Sequence, residues 1–343
     1  MPPPRLSDYQ LGEVLGAGTV GTIFAAVDPE TQQRVAIKRL HPSVSQDDMI
    51  RARFRREIMI LERLDHPNIV RCFGGGEEPG EGNLKGQLFY VMELVNAGTI
   101  KELLATSGRF NWPVVVEIGR QLCSALQFAH NHGVVHRDLK PSNLFITRNG
   151  QIKLGDFGIA RDLHDADISS SGMTVGTHAY MAPEQIRGET SISGKADLYS
   201  LGCCLFEMLV GRTPFVGENY QQLYDQHLKV EPPRANSMLS EPCPTLLDDT
   251  LHELLSKDPN DRPFNARKVQ VAMLQLSDRQ IQNDSDTEEV SAEDVVSHGR
   301  KILQTQIQKH RQIAVAPEVS WTQMLAMLAV IIIMLALYAL TRA

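Results

Sequence analysis

Hydrophobic and polar positions divide the chain into three zones of different character. Within the first hundred residues, partial alternation over 11–26 and short apolar runs at 23–27, 35–37 and 88–93 predict strands. Residues 277–297 are polar and acidic, and this composition predicts a linker rather than part of a core. Residues 321–340 then carry no charge, and twenty residues form a helix of about 30 Å, the thickness of a bilayer's hydrocarbon core.

The uncharged range 321–340 is predicted to be a single transmembrane helix. Trp321 and Tyr338 stand near its ends, where interfacial aromatic residues are common. A buried core helix fits less well, because a charged linker precedes the segment and no domain follows it. Basic residues before the span place the preceding region in the cytoplasm and the C-terminus outside; they are Arg300, Lys301, Lys309 and Arg311. Two alternatives stay open for residues 299–315, an amphipathic helix at a surface or a helical continuation of the linker.

Composition excludes several classes of protein. The 343 residues are 42% hydrophobic and 22% charged, which is typical of a globular chain. A net charge of −7 gives no reason to expect a nucleic-acid partner. The five cysteines form no C-x-x-C pair, so we expect free thiols in a reducing compartment and neither a disulfide framework nor a zinc site. The first residues lack the apolar stretch of a secretory signal peptide, so no signal peptide is predicted.

The most informative motif is HRDLKPSN at residues 136–143, followed by DFG at 156–158. Phosphoryl transfer from ATP needs an oriented nucleophile, held phosphates and neutralised charge. Asp138 can accept the proton of a hydroxyl, and Lys140 can steady the transferred group. Asn143 and Asp156 offer the hard oxygen ligands that Mg²⁺ prefers. The spacing of these residues is typical of the catalytic half of a protein kinase.

The phosphate-binding half precedes it in the chain. Gly16, Gly18 and Gly21 form a G-x-G-x-x-G pattern, in which a missing Cβ lets the backbone approach phosphate oxygens. Alone this pattern is weak, and a dinucleotide-binding motif would continue into a helix. Here a strand-like run follows instead. Residues 35–38 read VAIK, which places Lys38 at the phosphate-binding position.

Together these motifs resemble the eukaryotic-like (Hanks-type) serine/threonine protein kinases, and most closely the bacterial membrane-anchored ones, over roughly residues 9–276. The resemblance implies an α+β, two-lobed fold with ATP and Mg²⁺ in the cleft. The N-lobe, about 9–92, would be a five-stranded antiparallel sheet with one principal helix. The C-lobe, about 96–276, would be mostly helical. The predicted organisation is therefore a kinase domain at 1–276, a polar juxtamembrane linker at 277–320 and a transmembrane helix at 321–340.

The same resemblance implies roles for residues around ATP. Lys38 would contact the α- and β-phosphates and pair with Glu57, with Glu62 as the alternative. Met92 would be the gatekeeper beside adenine. The carbonyl of Glu93 and the amide of Val95 would meet the adenine edge. Four apolar residues would enclose the ring: Leu15, Ile23, Ala36 and Phe145, where a smaller residue than Phe145 is more usual.

On the acceptor side, the resemblance implies that Thr177 hydrogen-bonds Asp138 and Lys140, a combination that marks serine/threonine acceptors. Glu184, in the APE sequence at 182–184, would form a structural pair with Arg262. Asp197 would brace the catalytic loop. Three residues would stack in a regulatory spine: Leu61, His136 and Phe157.

Regulation by phosphorylation is a further expectation from the resemblance. Arg137 precedes Asp138, and an Arg there usually requires a phosphate on the activation segment to neutralise it. We expect autophosphorylation, favoured by self-association of neighbouring copies on a membrane. The candidate acceptors are Ser169, Ser170, Ser171 and Thr174, of which Ser171 and Thr174 are favoured.

Two other functions were weighed against an active kinase of protein substrates. A pseudokinase usually lacks one of the residues that this chain keeps, which are Lys38, Asp138, Asn143 and Asp156. A small-molecule kinase of related fold generally lacks the APE segment and its acceptor loop. The expected membrane is a bacterial inner membrane, with a eukaryotic tail anchor as the alternative.

Overall fold

The computed structural model describes residues 4–18, 21–42, 48–79, 85–157, 178–285 and 291–314. An antiparallel five-stranded sheet forms the N-lobe, in the order β1-β2-β3-β5-β4. Helix α1, Asp48–Leu61, connects β3 to β4. The strands are β1 (Gln10–Ala17), β2 (Gly21–Val27), β3 (Arg34–Leu40), β4 (Cys72–Glu77) and β5 (Leu88–Glu93).

Strand β5 shows why this sheet forms as it does. Its side chains alternate between two apolar clusters, because successive residues of a strand point to opposite faces. Leu88 and Tyr90 pack with Phe54 of α1. Phe89 and Val91 pack on the other face, in a separate cluster that also contains Ile37. Both faces of the central strands are therefore covered, and Lys38 projects from β3 near the edge of the first cluster.

The C-lobe is mostly helical and is built on two long buried helices, α3 and α5. A short hairpin of β6 (Leu144–Ile146) and β7 (Ile152–Leu154) lies beside α3. The helices are α2 (Ile100–Ser107), α3 (Trp112–Asn131), α4 (Pro183–Ile186), α5 (Gly194–Val210), α6 (Tyr220–Lys229), α7 (Thr245–Leu254), α8 (Ala266–Ser285) and α9 (Ala292–Ala314). The predicted two-lobed α+β fold is thus confirmed.

The range 277–320, predicted as a polar linker, includes helical residues that pack against the C-lobe. Helix α8 continues through the predicted boundary at 276 to Ser285, and Ile281 within this extension is buried. Helix α9 lies against α3, α2 and α8. Residues 299–314 are thus helical, as both alternatives for this range expected, and the helix packs on the C-lobe. The boundaries of the predicted domains otherwise stay predictions.

Among the helices in the described ranges, none combines the length and apolar composition that crossing a bilayer requires. The predicted span 321–340 lies outside the described residues.

Candidate active site

The catalytic loop follows α3 and brings three predicted residues together. Lys140 Nζ donates to Asp138 Oδ2 at 2.8 Å. Asn143 Nδ2 donates to the Asp138 carbonyl at 2.8 Å and lies 3.3 Å from Asp138 Oδ2. The side chains of Asp138 and Lys140 are each 21% exposed, so an incoming hydroxyl can reach them. The carboxylate is therefore accessible to a substrate proton, with a cation beside it.

Asp197 braces the loop, as expected. It is fully buried at the start of α5, and its two carboxylate oxygens accept the amides of His136 and Arg137, each at 2.8 Å. His130 Nε2 lies 2.8 Å from Asp197 Oδ2. Burial raises the pKa of Asp197, but the hydrogen bond and charge of His130 outweigh it and leave the pKa below its ordinary value. The brace is thus an ionised carboxylate.

Lys38 and Asp156 form an ion pair across the cleft, with Lys38 Nζ 2.7 Å from Asp156 Oδ1. Burial lowers the pKa of Lys38, but Tyr90 and Asp156 outweigh it, and the net pKa is raised. Burial raises the pKa of Asp156, and the Lys38 charge more than reverses this. Both groups are therefore charged at neutral pH. The predicted partnership of Lys38 with Glu57, or with Glu62, stays a prediction.

The predicted metal ligands suit magnesium. Asn143 gives its Nδ2 protons to Asp138, so its Oδ1, which accepts a long 3.4 Å hydrogen bond from Ser142 Oγ, is the atom that could bind a metal. The Gly155 amide donates to the Asn143 carbonyl at 3.0 Å, which ties the backbones of the two ligand segments together. One amide oxygen and one carboxylate fit Mg²⁺, which typically completes its shell with phosphates and water. Within the described ranges, no cluster of three or more His, Cys, Asp or Glu offers another metal site.

The predicted nucleotide slot lies between β1, β2, β3 and the β6–β7 hairpin. The Gly18 amide donates to the Gly21 carbonyl at 2.9 Å and closes the glycine turn. A Cβ on Gly21 would lie 2.3 Å from the Arg39 carbonyl, so this position requires glycine. The apolar residues predicted around adenine differ in exposure: Ala36 is 4% exposed, Leu15 is 47% exposed, and Ile23, Met92 and Phe145 are partly buried.

The hinge is anchored by a contact that sequence reasoning missed. Glu93, predicted to present its carbonyl to adenine, uses its carboxylate to bind Lys153 of β7 at 2.7 Å. Its amide donates to the Arg71 carbonyl at 2.8 Å. Val95 follows in an irregular segment between β5 and α2. A lysine in a short strand resembles any surface lysine, so no sequence signal pointed to this pairing.

Two of the three predicted spine residues are in contact. The rings of His136 and Phe157 lie 4.7 Å apart, and His136 Nε2 is 2.9 Å from the Gly155 carbonyl. Leu61, at the end of α1, packs against both the N-lobe cluster and the C-lobe core. Leu61 therefore connects the apolar clusters of the two lobes, and its stacking on the His136–Phe157 pair stays a prediction.

The acceptor side of the site is anchored by the predicted Glu184–Arg262 pair. Two hydrogen bonds of 2.7 and 2.9 Å connect them, and their side chains are 4% and 0% exposed. Gln185, which the sequence did not single out, donates to the Arg137 carbonyl at 2.9 Å. Thr177 and the predicted phosphorylation sites at 169–171 and 174 lie outside the described residues.

Comparison with known proteins agrees with this geometry. The family described as "Protein kinase domain" matches residues 9–272. The chain belongs to the protein kinase family. It is 36% identical to serine/threonine-protein kinase PknB of Mycolicibacterium smegmatis over 282 residues, which cover 81% of this chain and 44% of that protein. It is also 36% identical to a probable serine/threonine-protein kinase of Streptomyces coelicolor, covering 78% of this chain and 40% of the relative.

A solved structure supports the same assignment. The PknI kinase domain of Mycobacterium tuberculosis matches this kinase with a TM-score of 0.58 and 30% sequence identity, covering 78% of this chain and 95% of that one. The chain thus resembles bacterial Hanks-type serine/threonine kinases. It spans less than half the length of the two curated relatives named above.

Proposed function

We propose that this protein transfers the γ-phosphoryl group of ATP to serine and threonine hydroxyls of proteins. Two groups of short contacts carry the proposal: Asp138 with Lys140 and Asn143, and Lys38 with Asp156. The Gly155 amide, which donates to the Asn143 carbonyl, connects the backbones of the two groups. Family membership and the similarity to bacterial serine/threonine kinases support it.

The side chains divide the chemistry between them. Asp138 orients the acceptor hydroxyl and accepts its proton, while Lys140, which donates to Asp138 Oδ2, stabilises charge on the transferred group. Lys38 holds the α- and β-phosphates and keeps Asp156 ionised. Asn143 Oδ1 and Asp156 would hold Mg²⁺, which neutralises phosphate charge when bound. Thr177 would position the acceptor beside Asp138, as the family resemblance implies.

The direct test is transfer of labelled phosphate from ATP and Mg²⁺ to a protein substrate, followed by phosphoamino-acid analysis. Wild type should yield phosphoserine or phosphothreonine, and Asp138→Asn should lose about 10²–10⁴-fold in rate. A matched control is Asp225→Asn, an exposed carboxylate on α6 that pairs with Lys229 outside the site. Nucleotide binding without any transfer would instead support a pseudokinase.

Autophosphorylation is the proposed route of activation. Arg137 beside the proton acceptor supports this, because a phosphate within the sequence segment 158–177 can pair with that charge. Mass spectrometry of wild type and of Asp138→Asn should find phosphate at Ser171 or Thr174 only in wild type. A fully active enzyme with an unmodified segment would contradict the proposal.

We also propose tethering to a bacterial inner membrane through residues 321–340, with the kinase domain in the cytoplasm and the C-terminus outside. The support is the uncharged stretch of twenty residues and the basic residues before it. Fractionation of cells should find the chain in the membrane, and removal of residues 317–343 should release it. A tether would also raise the local concentration of neighbouring copies, which favours their mutual phosphorylation.

A further inference from the structure

Helix α9 packs on the back of the C-lobe through one side. Val295, Leu303 and Ile307 are at most 4% exposed, and Gly299 completes a row at four-residue spacing. The row lies against α3, α2 and α8. Gln306 Nε2 also donates to Ser107 Oγ of α2 at 3.0 Å. The helix is therefore part of the folded domain.

The tightest contact of α9 is with a buried carboxylate. A Cβ on Gly299 would lie 2.3 Å from the carboxylate of Glu117, which is 2% exposed. Only a glycine lets the two helices approach this closely. Glu117 accepts two hydrogen bonds from Arg120, at 2.8 and 2.7 Å, and one from Gln121 Nε2 at 2.7 Å.

Gln121 carries this contact into the β6–β7 hairpin. Its Nε2 is also 3.2 Å from the Gly150 carbonyl at the hairpin turn. Its Oε1 accepts the Ile152 amide at 2.8 Å and Asn68 Nδ2 at 2.7 Å. Asn68 Nδ2 in turn donates to the Ile152 carbonyl at 2.8 Å. The buried side-chain amides of Gln121 and Asn68 thus hydrogen-bond both the backbone amide and the backbone carbonyl of Ile152 in β7.

Helix α9 also touches the hairpin turn directly. Gly150 has φ +71°, and a Cβ there would lie 2.6 Å from the Arg300 carbonyl and 3.2 Å from Leu303 Cβ. The opposite end of the same hairpin carries both predicted metal ligands. Asn143 directly precedes β6, and Asp156 follows β7 by two residues.

We propose that α9 is a positioning element for the metal site. Its docking on Glu117 and Gly150 fixes the closed end of the hairpin, and the hairpin holds Asn143 and Asp156 at the spacing that metal-bound nucleotide requires. Release of α9 would loosen both ligands together. The proposal rests on the proposed ATP and Mg²⁺ chemistry. It also connects the site to the predicted membrane span, because α9 is the last described element before residues 321–340.

Two variants of the whole chain, purified in detergent, disturb the docking in different ways. Gly299→Ala strengthens helix propensity but places a Cβ against Glu117, so that any loosening of α9 arises from the contact itself. Leu303→Asp introduces a charge into the buried row. Gln308→Asp is the matched control, since it introduces the same side chain on an exposed position of α9.

Two measurements are made on each variant. Hydrogen–deuterium exchange reports the protection of residues 144–154 and of 292–309. Calorimetry reports the affinity for a non-hydrolysable ATP analogue, with and without Mg²⁺. We expect Gly299→Ala and Leu303→Asp to speed exchange in both segments. They should weaken Mg²⁺-dependent binding by about 2- to 30-fold, the usual range for coupling through packed networks. Metal-free nucleotide binding should not change, and Gln308→Asp should match wild type.

Each alternative outcome contradicts the proposal in a recognisable way. Faster exchange of α9 with an unchanged hairpin and unchanged Mg²⁺ dependence would show that docking does not position the ligands. Equal losses of metal-dependent and metal-free binding would show general destabilisation instead. Unchanged exchange of α9 in both variants would refute the docking contact itself. If wild type binds no nucleotide, the proposed function is wrong. The exchange data would then still test whether α9 and the hairpin are coupled.

Discussion

The buried Glu184–Arg262 pair allows a quantitative test of how the acceptor side is held. The guanidinium donates to both carboxylate oxygens, and it also donates to the carbonyls of Ser256, Lys195 and Lys257 at 2.8, 2.8 and 3.2 Å. Glu184→Ala removes the counter-ion but leaves these three acceptors. Arg262→Ala strands a carboxylate and also leaves three carbonyls without their donor.

These differences set the expected magnitudes. Breaking a buried pair by removing one partner costs about 3–5 kcal/mol. We expect Glu184→Ala to lower the free energy of unfolding by about 3 kcal/mol and Arg262→Ala to lower it by about 5 kcal/mol, the two ends of that range. The double variant removes both charges, so its cost should fall below the sum of the single costs by about 1–3 kcal/mol.

Urea unfolding of the four proteins, without nucleotide, measures these free energies. Thermal melting should agree, with roughly 2–4 °C lost per kcal/mol in a domain of this size. Glu189→Ala is the control, because its pair with Arg187 spans 3.5 Å and both side chains are about half exposed. That substitution should cost less than about 1 kcal/mol. If the costs of the Glu184 and Arg262 substitutions add within about 0.5 kcal/mol, the pair is not coupled and the reasoning fails.

Three other predictions address the site and the core. Asp197→Asn should lower kcat more than it raises the KM for ATP, because the amide cannot accept from both His136 and Arg137 as the carboxylate does; an effect confined to KM would contradict this. Lys38→Met should abolish phosphoryl transfer. It should retain the circular dichroism of wild type, since an unbranched side chain replaces Lys38 at the edge of the core. Transfer at the wild-type rate would refute the phosphate-binding role of Lys38. Burial lowers the pKa of His227 to about 3, and Lys257 adds to this shift. The ring is therefore neutral in the folded protein. Its contribution to stability should be fully present above about pH 6.5, and below that pH the free energy of unfolding should fall by about 1.4 kcal/mol per pH unit. His227→Gln should flatten that slope in urea titrations between pH 7 and 5, whereas an unchanged slope would assign the acid sensitivity to other groups.

The proximity of the predicted catalytic residues could be anticipated from sequence because their spacing along the chain is short and fixed. Asp138, Lys140 and Asn143 occupy one loop, and each has a chemical role that few other residue types can fill. The partnership of Glu184 with Arg262 spans 78 positions and could be predicted only through the family resemblance. Residues outside the described ranges, including Thr177 and 321–340, remain predictions.

The placement of the C-terminal helices could not be predicted, for physical reasons. The acidic and amide-rich composition after residue 277 gives no sign of the buried row on α9. In that row a glycine occupies one of the four positions. Gly299 contributes by its lack of a side chain, which hydrophobic patterning does not detect. Gln121 and Asn68 likewise carry no signal, since the same amides are common on surfaces, and only the fold shows that they are buried and paired.

The backbone of the active site connects these separate observations. Among the described residues, the non-glycine residues with positive φ are Gln32, Arg137 and Asp156, at 57°, 63° and 52°. Two of the three lie in the candidate active site, and each such conformation costs about 1–3 kcal/mol. Arg137 is held on both sides, because its amide donates to Asp197 and its carbonyl accepts from Gln185.

Asp156 is held in the same manner by its pair with Lys38 and by the hairpin that precedes it. The elements that offset this strain are α5, α4, β3 and β7, and each is anchored by buried contacts elsewhere in the fold. A loss of anchoring at one of them should therefore relax the nearest strained residue first and reduce catalysis before the domain unfolds. We therefore expect contacts as distant as Glu184–Arg262 and Gly299–Glu117 to affect a site that neither of them touches.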